Sequence, residues 1–233
     1  MSASGSREYN GCWIIIPAFN EGKVISHVLS SLGTYPFHIV VVDDGSTDDT
    51  VQQALGYPVA VVKHAINLGQ GASLQTGIDY ALQFKDTSYI VTFDADGQHD
   101  VEDIPRMLDK LQEGYDVVLG SRFLEKTQKQ NMPDSRRYLL KIAIVFTRLT
   151  TRLRITDTHN GLRAFRAESI RPLNIMQNRM AHASEILSYI ARNELRYCEI
   201  PVNIDYTDYS LQKGQSIWNG INILWEIISE KFK

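Results

Sequence analysis

The chain has 233 residues, 43% of them hydrophobic and 22% charged, which suits one substantial α/β domain or at most two small ones. Its formal net charge of −3 argues against a general nucleic-acid binder, which would be basic. Two cysteines, Cys12 and Cys198, lie far apart in no metal-ligand spacing, so a reducing intracellular setting is expected and a disulfide framework is not. The polar N-terminus MSASGSREYNG lacks the apolar core of a secretory signal, and no run of 18 or more apolar residues is present to span a bilayer. These features read as a soluble or peripheral protein.

In chain order, CWIII (12–16), HIVVV (38–42), VAVV (59–62), YIVTF (89–93) and DVVLG (116–120) read as strands buried on both faces. Helical spacing separates them: Val24, Val28, Leu29 and Leu32; then Leu74, Ile78, Ala81 and Leu82; then Ile104, Met107, Leu108 and Leu111. Strands alternating with such helices predict βαβ units and a mainly parallel sheet. The second half reads as a long helix from about Ser135 to Ile155, a short strand LRAF and a helix near 183–194. A strand in YCEIPVNIDY (197–206) and a C-terminal helix follow. No linker rich in Gly, Pro or Ser divides the chain.

Ligands of open α/β sheets bind beyond the carboxyl ends of the strands. Those ends carry PAFNE (17–21), DDGSTDDT (43–50), HAINLGQGAS (64–73), DADGQHD (94–100) and SRF (121–123). Acids and amides on one edge, which the core does not need, suggest a site. DDGSTDDT also reads as a turn in which Ser46 or Thr47 caps a helix with Asp48 and Asp49 in its first turn. Asp43 and Asp44, at the strand tip, can accept hydrogen bonds from a nucleobase or ribose. GQGASL departs from a dinucleotide fingerprint at Leu74 and reads instead as a helix start with close backbone packing.

DADGQ has the chemistry of a divalent-cation site. Asp94 and Asp96 repel one another unless a cation or ordered donors stabilise them, and Gln98 adds a neutral carbonyl oxygen. Mg²⁺ and Mn²⁺ take a few such oxygens and complete their shells with water and substrate phosphate. The bland alternative is a polar turn after a strand. A phosphatase-type DxDG nucleophile loop is a poor fit, because four strands precede FDADG and Gln98 follows it.

In this order, IIIPAFNE, VVVDDGSTDDT, NLGQGASLQTGI, FDADGQHD and VVLGSRF resemble the family 2 glycosyltransferases of the GT-A fold. DTHNGLRAFR (157–166) and EIPVNIDY…KGQS (199–216) resemble the dolichyl-phosphate mannose synthase and bacterial polyprenyl-phosphate glycosyltransferase branch. The resemblance implies a nucleotide-sugar donor, Mg²⁺ or Mn²⁺, and an inverting single displacement onto a polyprenyl phosphate. It implies one GT-A domain with a flexible N-terminus (1–11), a nucleotide-sugar half (12–123) and an acceptor half (124–233).

Carried over, Pro17, Asn20, Glu21, Asp43, Asp44 and Gly71 hold the nucleotide sugar, together with Asp94, Ala95, Asp96 and Arg122. Asp94, Asp96 and Gln98 face the metal and diphosphate. Arg136, Arg137, Asn160, Gly161, Arg163, Lys213 and Ser216 meet the acceptor and its phosphate. Asp96, Arg122, Arg163 and Glu185 are the candidate catalytic residues. Asn160 stands where that branch usually has Ser or Thr, and AHASEIL surrounds Glu185 with His182 and Ser184 in place of the usual acid and threonine.

A phosphate acceptor is already anionic near neutral pH, since a phosphomonoester's second pKa is about 6, so it needs cations more than a base. On a helix, Arg137, Lys141, Arg148 and Arg152 fall within roughly 60° of one another, interleaved with apolar residues. Such a strip suits an anionic membrane surface, and a core helix with a solvated basic face is the alternative. Ile217, Ile221, Leu224, Trp225, Ile228 and Phe232 form a second apolar stripe. Peripheral attachment to the cytoplasmic face of a membrane is therefore expected, with a small membrane-protein partner or self-association. The rival acceptor, a glycan or lipid-linked hydroxyl, would need a base such as Glu185.

Overall fold

The computed structural model describes Tyr9 and residues 11–124, 144–145, 147–178 and 181–205. Among the described residues, seven strands form one sheet in the order β3-β2-β1-β4-β6-β5-β7. In chain order they are β1 Cys12–Ala18, β2 His38–Asp43, β3 Ala60–Lys63, β4 Tyr89–Thr92, β5 Val117–Ser121, β6 Arg163–Arg166 and β7 Tyr197–Pro201. Among the described residues, the helices besides one that ends at Thr151 are α1 Ile25–Leu32, α2 Thr50–Ala54, α3 Gln70–Ala81, α4 Asp103–Gln112, α5 (Ala167–Ile170) and α6 (His182–Arg192).

Strand alternation splits the core into two layers. Cys12, Ile14, Ile16 and Ala18 of β1 join Ile25, Val28, Leu29 and Leu32 of α1 and Ile104, Met107, Leu108 and Leu111 of α4. Trp13 and Ile15 join Leu74, Ile78 and Ala81 of α3 and Ile186, Leu187 and Ile190 of α6. Both faces of β1 are buried, which is why its sequence is a continuous apolar run and not an alternating one. β3 is instead a half-buried edge strand, contrary to the expectation of five strands covered on both sides. Cys12 and Cys198 lie on β1 and β7, with three strands between them.

The pairing of β6 was not foreseen from sequence. It runs antiparallel between β4 and β5, with Thr92 opposite Arg163 and Leu119 opposite Arg163 on its two sides. Reversal of this strand places its beginning, not its end, at the carboxyl edge of β1, β2, β4 and β5. Residues 158–163 are thereby brought beside the β4 tip.

Three further expectations are corrected. The helix expected to reach Ile155 ends by Thr151, and Arg152 adopts a left-handed φ of 61°. Leu153 and Ile155 turn into the core, and Arg148 Nε closes the turn on the Ile155 carbonyl at 2.6 Å, so Arg148 and Arg152 share no helix face. Neither Ser46 nor Thr47 caps α2, which starts at Thr50 with Asp49 as its N-cap. The last strand stops at Pro201, after which Asn203 N donates to Asp103 Oδ2 (3.2 Å) and Ile204 bridges to His99.

Candidate functional site

The first two strand tips are laced together through backbone groups. Asn20, at a left-handed φ of 54°, donates its N–H to Ser46 Oγ (2.9 Å) and accepts Thr47 N on Oδ1 (2.9 Å). Glu21 N donates to Thr50 Oγ1 (2.8 Å), and Asp48 accepts Gly22 N and Thr50 N. Pro17 lies beneath this knot, paired with Val42. Asp44 is buried and accepts Leu68 N (2.9 Å) and Gly69 N (2.7 Å) while pairing with His64 Nδ1 (2.8 Å). Burial pushes its carboxyl up, but these bonds outweigh burial and hold it below the usual carboxylate range. Asp43 uses Oδ2 on Ser46 N (3.2 Å), and its buried Oδ1 has no partner among the described residues.

At the β4 tip the anchoring is by side chains. Asp94 Oδ1 accepts Gln70 Nε2 (3.0 Å), and Oδ2 pairs with His99 Nε2 (3.0 Å). Burial raises the Asp94 carboxyl, yet the His99 hydrogen bond and the charges of His99, His182 and Arg163 bring it below the ordinary value. Gly161 makes this packing possible, because a Cβ there would lie 2.0 Å from Asp94 Oδ2. Thr92 Oγ1 fixes the approach by donating to the Gly161 carbonyl at 2.6 Å.

Asp96 is the outlier. Burial, then the neighbouring Asp94 charge, push its carboxyl up to about 6, with Glu21 adding to the rise. Gln98 N donates to Asp96 Oδ1 (3.1 Å), and this bond together with the His99 charge offsets only part of the shift. Ala95 is buried between the two acids. The donor set is hard oxygen, and the raised Asp96 marks a place where positive charge is lacking, so the residues fit a small divalent cation. No group of three His, Cys, Asp or Glu ready to cage a metal occurs among the described residues, so Gln98, water and ligand oxygens would complete the shell.

Beside Asp94 lies a segment rich in buried nitrogen. Asn160 Oδ1 accepts Leu162 N (2.9 Å), while its buried Nδ2 has no partner among the described residues. Arg163 Nε and Nη2 donate to the carbonyls of Asn160 (3.1 Å) and Thr158 (3.2 Å), and its buried Nη1 has none there either. Burial lowers the Arg163 guanidinium to about 10, against the pull of Asp94 and Asp157, so it remains a cation at neutral pH. His159 Nδ1 meets Thr158 Oγ1 at 2.6 Å. Burial, with Arg122, Arg163 and His182 nearby, lowers the His159 ring to about 4 against the pull of Asp157 and keeps it neutral.

Several expected residues turn out to be bound to protein groups. Arg122 clasps Asp157 through Nε (2.6 Å) and Nη2 (2.8 Å) in a buried fork. Burial raises Asp157, but the Arg122 charge and hydrogen bonds overcome that and hold it low. Both oxygens of Glu185 lie on backbone N–H groups of Met176 and Gln177. Gly71 packs against the Gln177 carbonyl. Arg136, Arg137, Lys141, Lys213, Ser216 and the stripe from Ile217 to Phe232 lie outside the described residues.

Sequence reasoning missed Gln70, His99, Asp157, His159 and Glu199. Glu199 accepts Thr156 N (2.8 Å) and Asp157 N (3.2 Å) and so braces the loop that leads into Asn160. None of these five stands out by spacing. The one signal available was HD directly after DADGQ, which put a histidine within reach of the acids.

A mainly parallel sheet with an antiparallel insertion beside an acidic β4 tip defines the GT-A fold. The fold is shared with glucosyl-3-phosphoglycerate synthase of Mycobacterium tuberculosis, solved in complex with Mn²⁺ and UDP-glucose (TM-score 0.70, 17% identity, 94% of this chain and 79% of that one). Residues 13–173 match the profile described as Glycosyl transferase family 2, and the chain belongs to that family and is a glycosyltransferase. It is 37% identical to an uncharacterized protein of Methanocaldococcus jannaschii, over 94% of this chain and 91% of the relative. It is 30% identical to UDP-N-acetylglucosamine--dolichyl-phosphate N-acetylglucosaminyltransferase of Methanococcus voltae, over 94% and 95% of the two chains. With the polyprenol monophosphomannose synthase of Mycolicibacterium smegmatis it shares 31% identity over 90% and 82%.

Proposed function

We propose that this glycosyltransferase moves a sugar from a nucleotide diphosphate sugar to a polyprenyl monophosphate, with inversion at the anomeric carbon. One observation carries the reading: the segment beside Asp94 holds the Asn160 Nδ2 and Arg163 Nη1 donors, buried and without acceptors among the described residues. Such donors call for an anionic ligand. Meanwhile Asp44, Asp157, Glu185 and Glu199 are engaged by protein N–H groups, so they are poorly placed to serve as a base. An acceptor that brings its own negative charge fits both facts. Two of the relatives support it, one named as a dolichyl-phosphate N-acetylglucosaminyltransferase and the other as a polyprenol monophosphomannose synthase.

In this reading a phosphate oxygen of the acceptor attacks the anomeric carbon. The bond from that carbon to the nucleoside diphosphate breaks, and the diphosphate leaves with the electron pair. Asp43 Oδ1 offers the nucleoside an acceptor, on a loop that Asp44 holds in place. Arg163 and Asn160 orient the attacking phosphate. Mg²⁺ or Mn²⁺ held by Asp96, with Asp94 and Gln98 beside it, would neutralise charge on the departing diphosphate. A lipid acceptor places the enzyme at a membrane surface as a peripheral protein, alone, self-associated or with a small membrane partner. Among the described residues no helix is long and apolar enough to cross a membrane.

The test supplies labelled UDP-glucose, UDP-N-acetylglucosamine and GDP-mannose with undecaprenyl or dolichyl phosphate and Mn²⁺. Label in a lipid released by mild acid is the expected result, because a phosphodiester-linked sugar is acid-labile. Label only in an acid-stable glycoside would overturn the reading in favour of a hydroxyl acceptor.

A further inference from the structure

Residues 174–178 form no helix or strand, yet they are held from two sides. Gln75 Oε1, from α3, accepts Ile175 N at 2.7 Å. Glu185, in the first turn of α6, accepts Met176 N on both oxygens (3.0 and 3.1 Å) and Gln177 N on Oε2 (2.9 Å). The carbonyls of this segment press on the start of α3. Gly71 N donates to the Asn178 carbonyl (2.9 Å), and a Cβ at position 71 would come within 2.0 Å of the Gln177 carbonyl. The adjacent residue, Gln70, is the one whose amide holds Asp94 Oδ1 at 3.0 Å.

We infer that Glu185 is a positioning residue. It clamps 176–178 against the first turn of α3 and thereby aims Gln70 at Asp94. A general base must lie within hydrogen-bond reach of the proton it removes, whereas Glu185 turns both oxygens to backbone N–H groups of its own chain. The glutamate that sequence alone offers as a base for a hydroxyl acceptor is a strut of the donor pocket. The inference rests on the proposed function in taking Asp94 as part of that pocket.

Two substitutions separate strut from base. In Glu185→Gln, the amide oxygen can occupy the place of Oε2, where both N–H groups converge. That variant is expected to cost no more than about threefold in kcat and to keep the wild-type pH profile of kcat/KM. Glu185→Ala is expected to lower kcat/KM for the donor about tenfold, and to weaken Mn²⁺-dependent binding of UDP or GDP, whichever the wild type binds, by a similar factor. Adding Gln70→Ala to Glu185→Ala should cost little more, since both act through one contact. A loss of about 10²–10⁴-fold in Glu185→Gln with an altered pH limb would make Glu185 the base and overturn the inference. Strictly additive losses in the double variant, or unaltered nucleotide binding in Glu185→Ala, would overturn it too. Wild-type transfer to polyprenyl phosphate is scored separately, so its absence would overturn the acceptor while nucleotide binding still tested the strut.

Discussion

The tips of β2 and β4 each carry a pair of neighbouring acids with a histidine against one of them, and the two pairs behave differently. At β2, Asp44 is buried against His64 and two backbone N–H groups, and its charge is stabilised in place. At β4, Asp94 is hydrogen-bonded by the side chains of Gln70 and His99, and its neighbour Asp96 rises to about 6. The first pair builds a loop. The second leaves negative charge that the protein alone does not balance, and such imbalance is what a site that seats a cation and an anion together requires.

The contrast is sharpest in Asp96→Asn. Under the cation reading it removes several kcal/mol of transition-state stabilisation, so turnover should fall roughly 10³-fold. The same change should raise metal-free thermal stability at neutral pH by about 3 °C, because a costly charge is gone. Asp44→Ala should do the reverse: it strands His64 and two N–H groups, and chemical denaturation should show a loss of about 1–3 kcal/mol. If Asp44→Ala leaves stability intact, the β2 tip is not the scaffold described here. Asn160→Ala, which removes one unmatched donor, should raise the acceptor KM by about tenfold and leave the donor KM near its wild-type value. An effect confined to the donor would assign that segment to the other substrate.

The smallest effect is on pH dependence. Asp96 is raised from 3.8 to about 6, so between those values the folded state keeps a proton that the unfolded chain has lost, and this group subtracts stability as pH rises. His159 is lowered from 6.5 to about 4, so the unfolded chain holds the extra proton and stability rises with pH across 4–6.5. The two oppose each other in the wild type. In Asp96→Asn the opposing Asp96 contribution is gone, and the Tm difference between variant and wild type should grow from near zero at pH 4 to a plateau above pH 6. A difference that is constant with pH would deny Asp96 its raised value.

Much of the left side of the sheet was legible in the sequence. The continuous apolar runs of β1, β2 and β4 declare strands buried on both faces, and the acids that end them are visible as breaks in those runs. What was not legible depends on contacts distant in sequence. The place of β6 between β4 and β5 follows from pairings far apart in sequence, such as Thr92 with Arg163 and Val117 with Phe165, and LRAF alone carries no sign of it. Gln70 and His99 matter because α3 and the loop after β4 converge on one carboxylate, and Asp157 matters because it faces Arg122 thirty-five residues away. Arg152 broke a helical pattern that periodicity alone would continue, because Leu153 and Ile155 are drawn into the core.

The central claim is that the β4 acids seat a cation against the diphosphate of a sugar nucleotide. Calorimetric titration of UDP and of GDP into the protein, with and without Mn²⁺, tests it most directly. Binding of one of the two that requires Mn²⁺ and disappears in Asp96→Asn is the predicted result. Equal binding without the metal, or unchanged binding in that variant, would contradict the account.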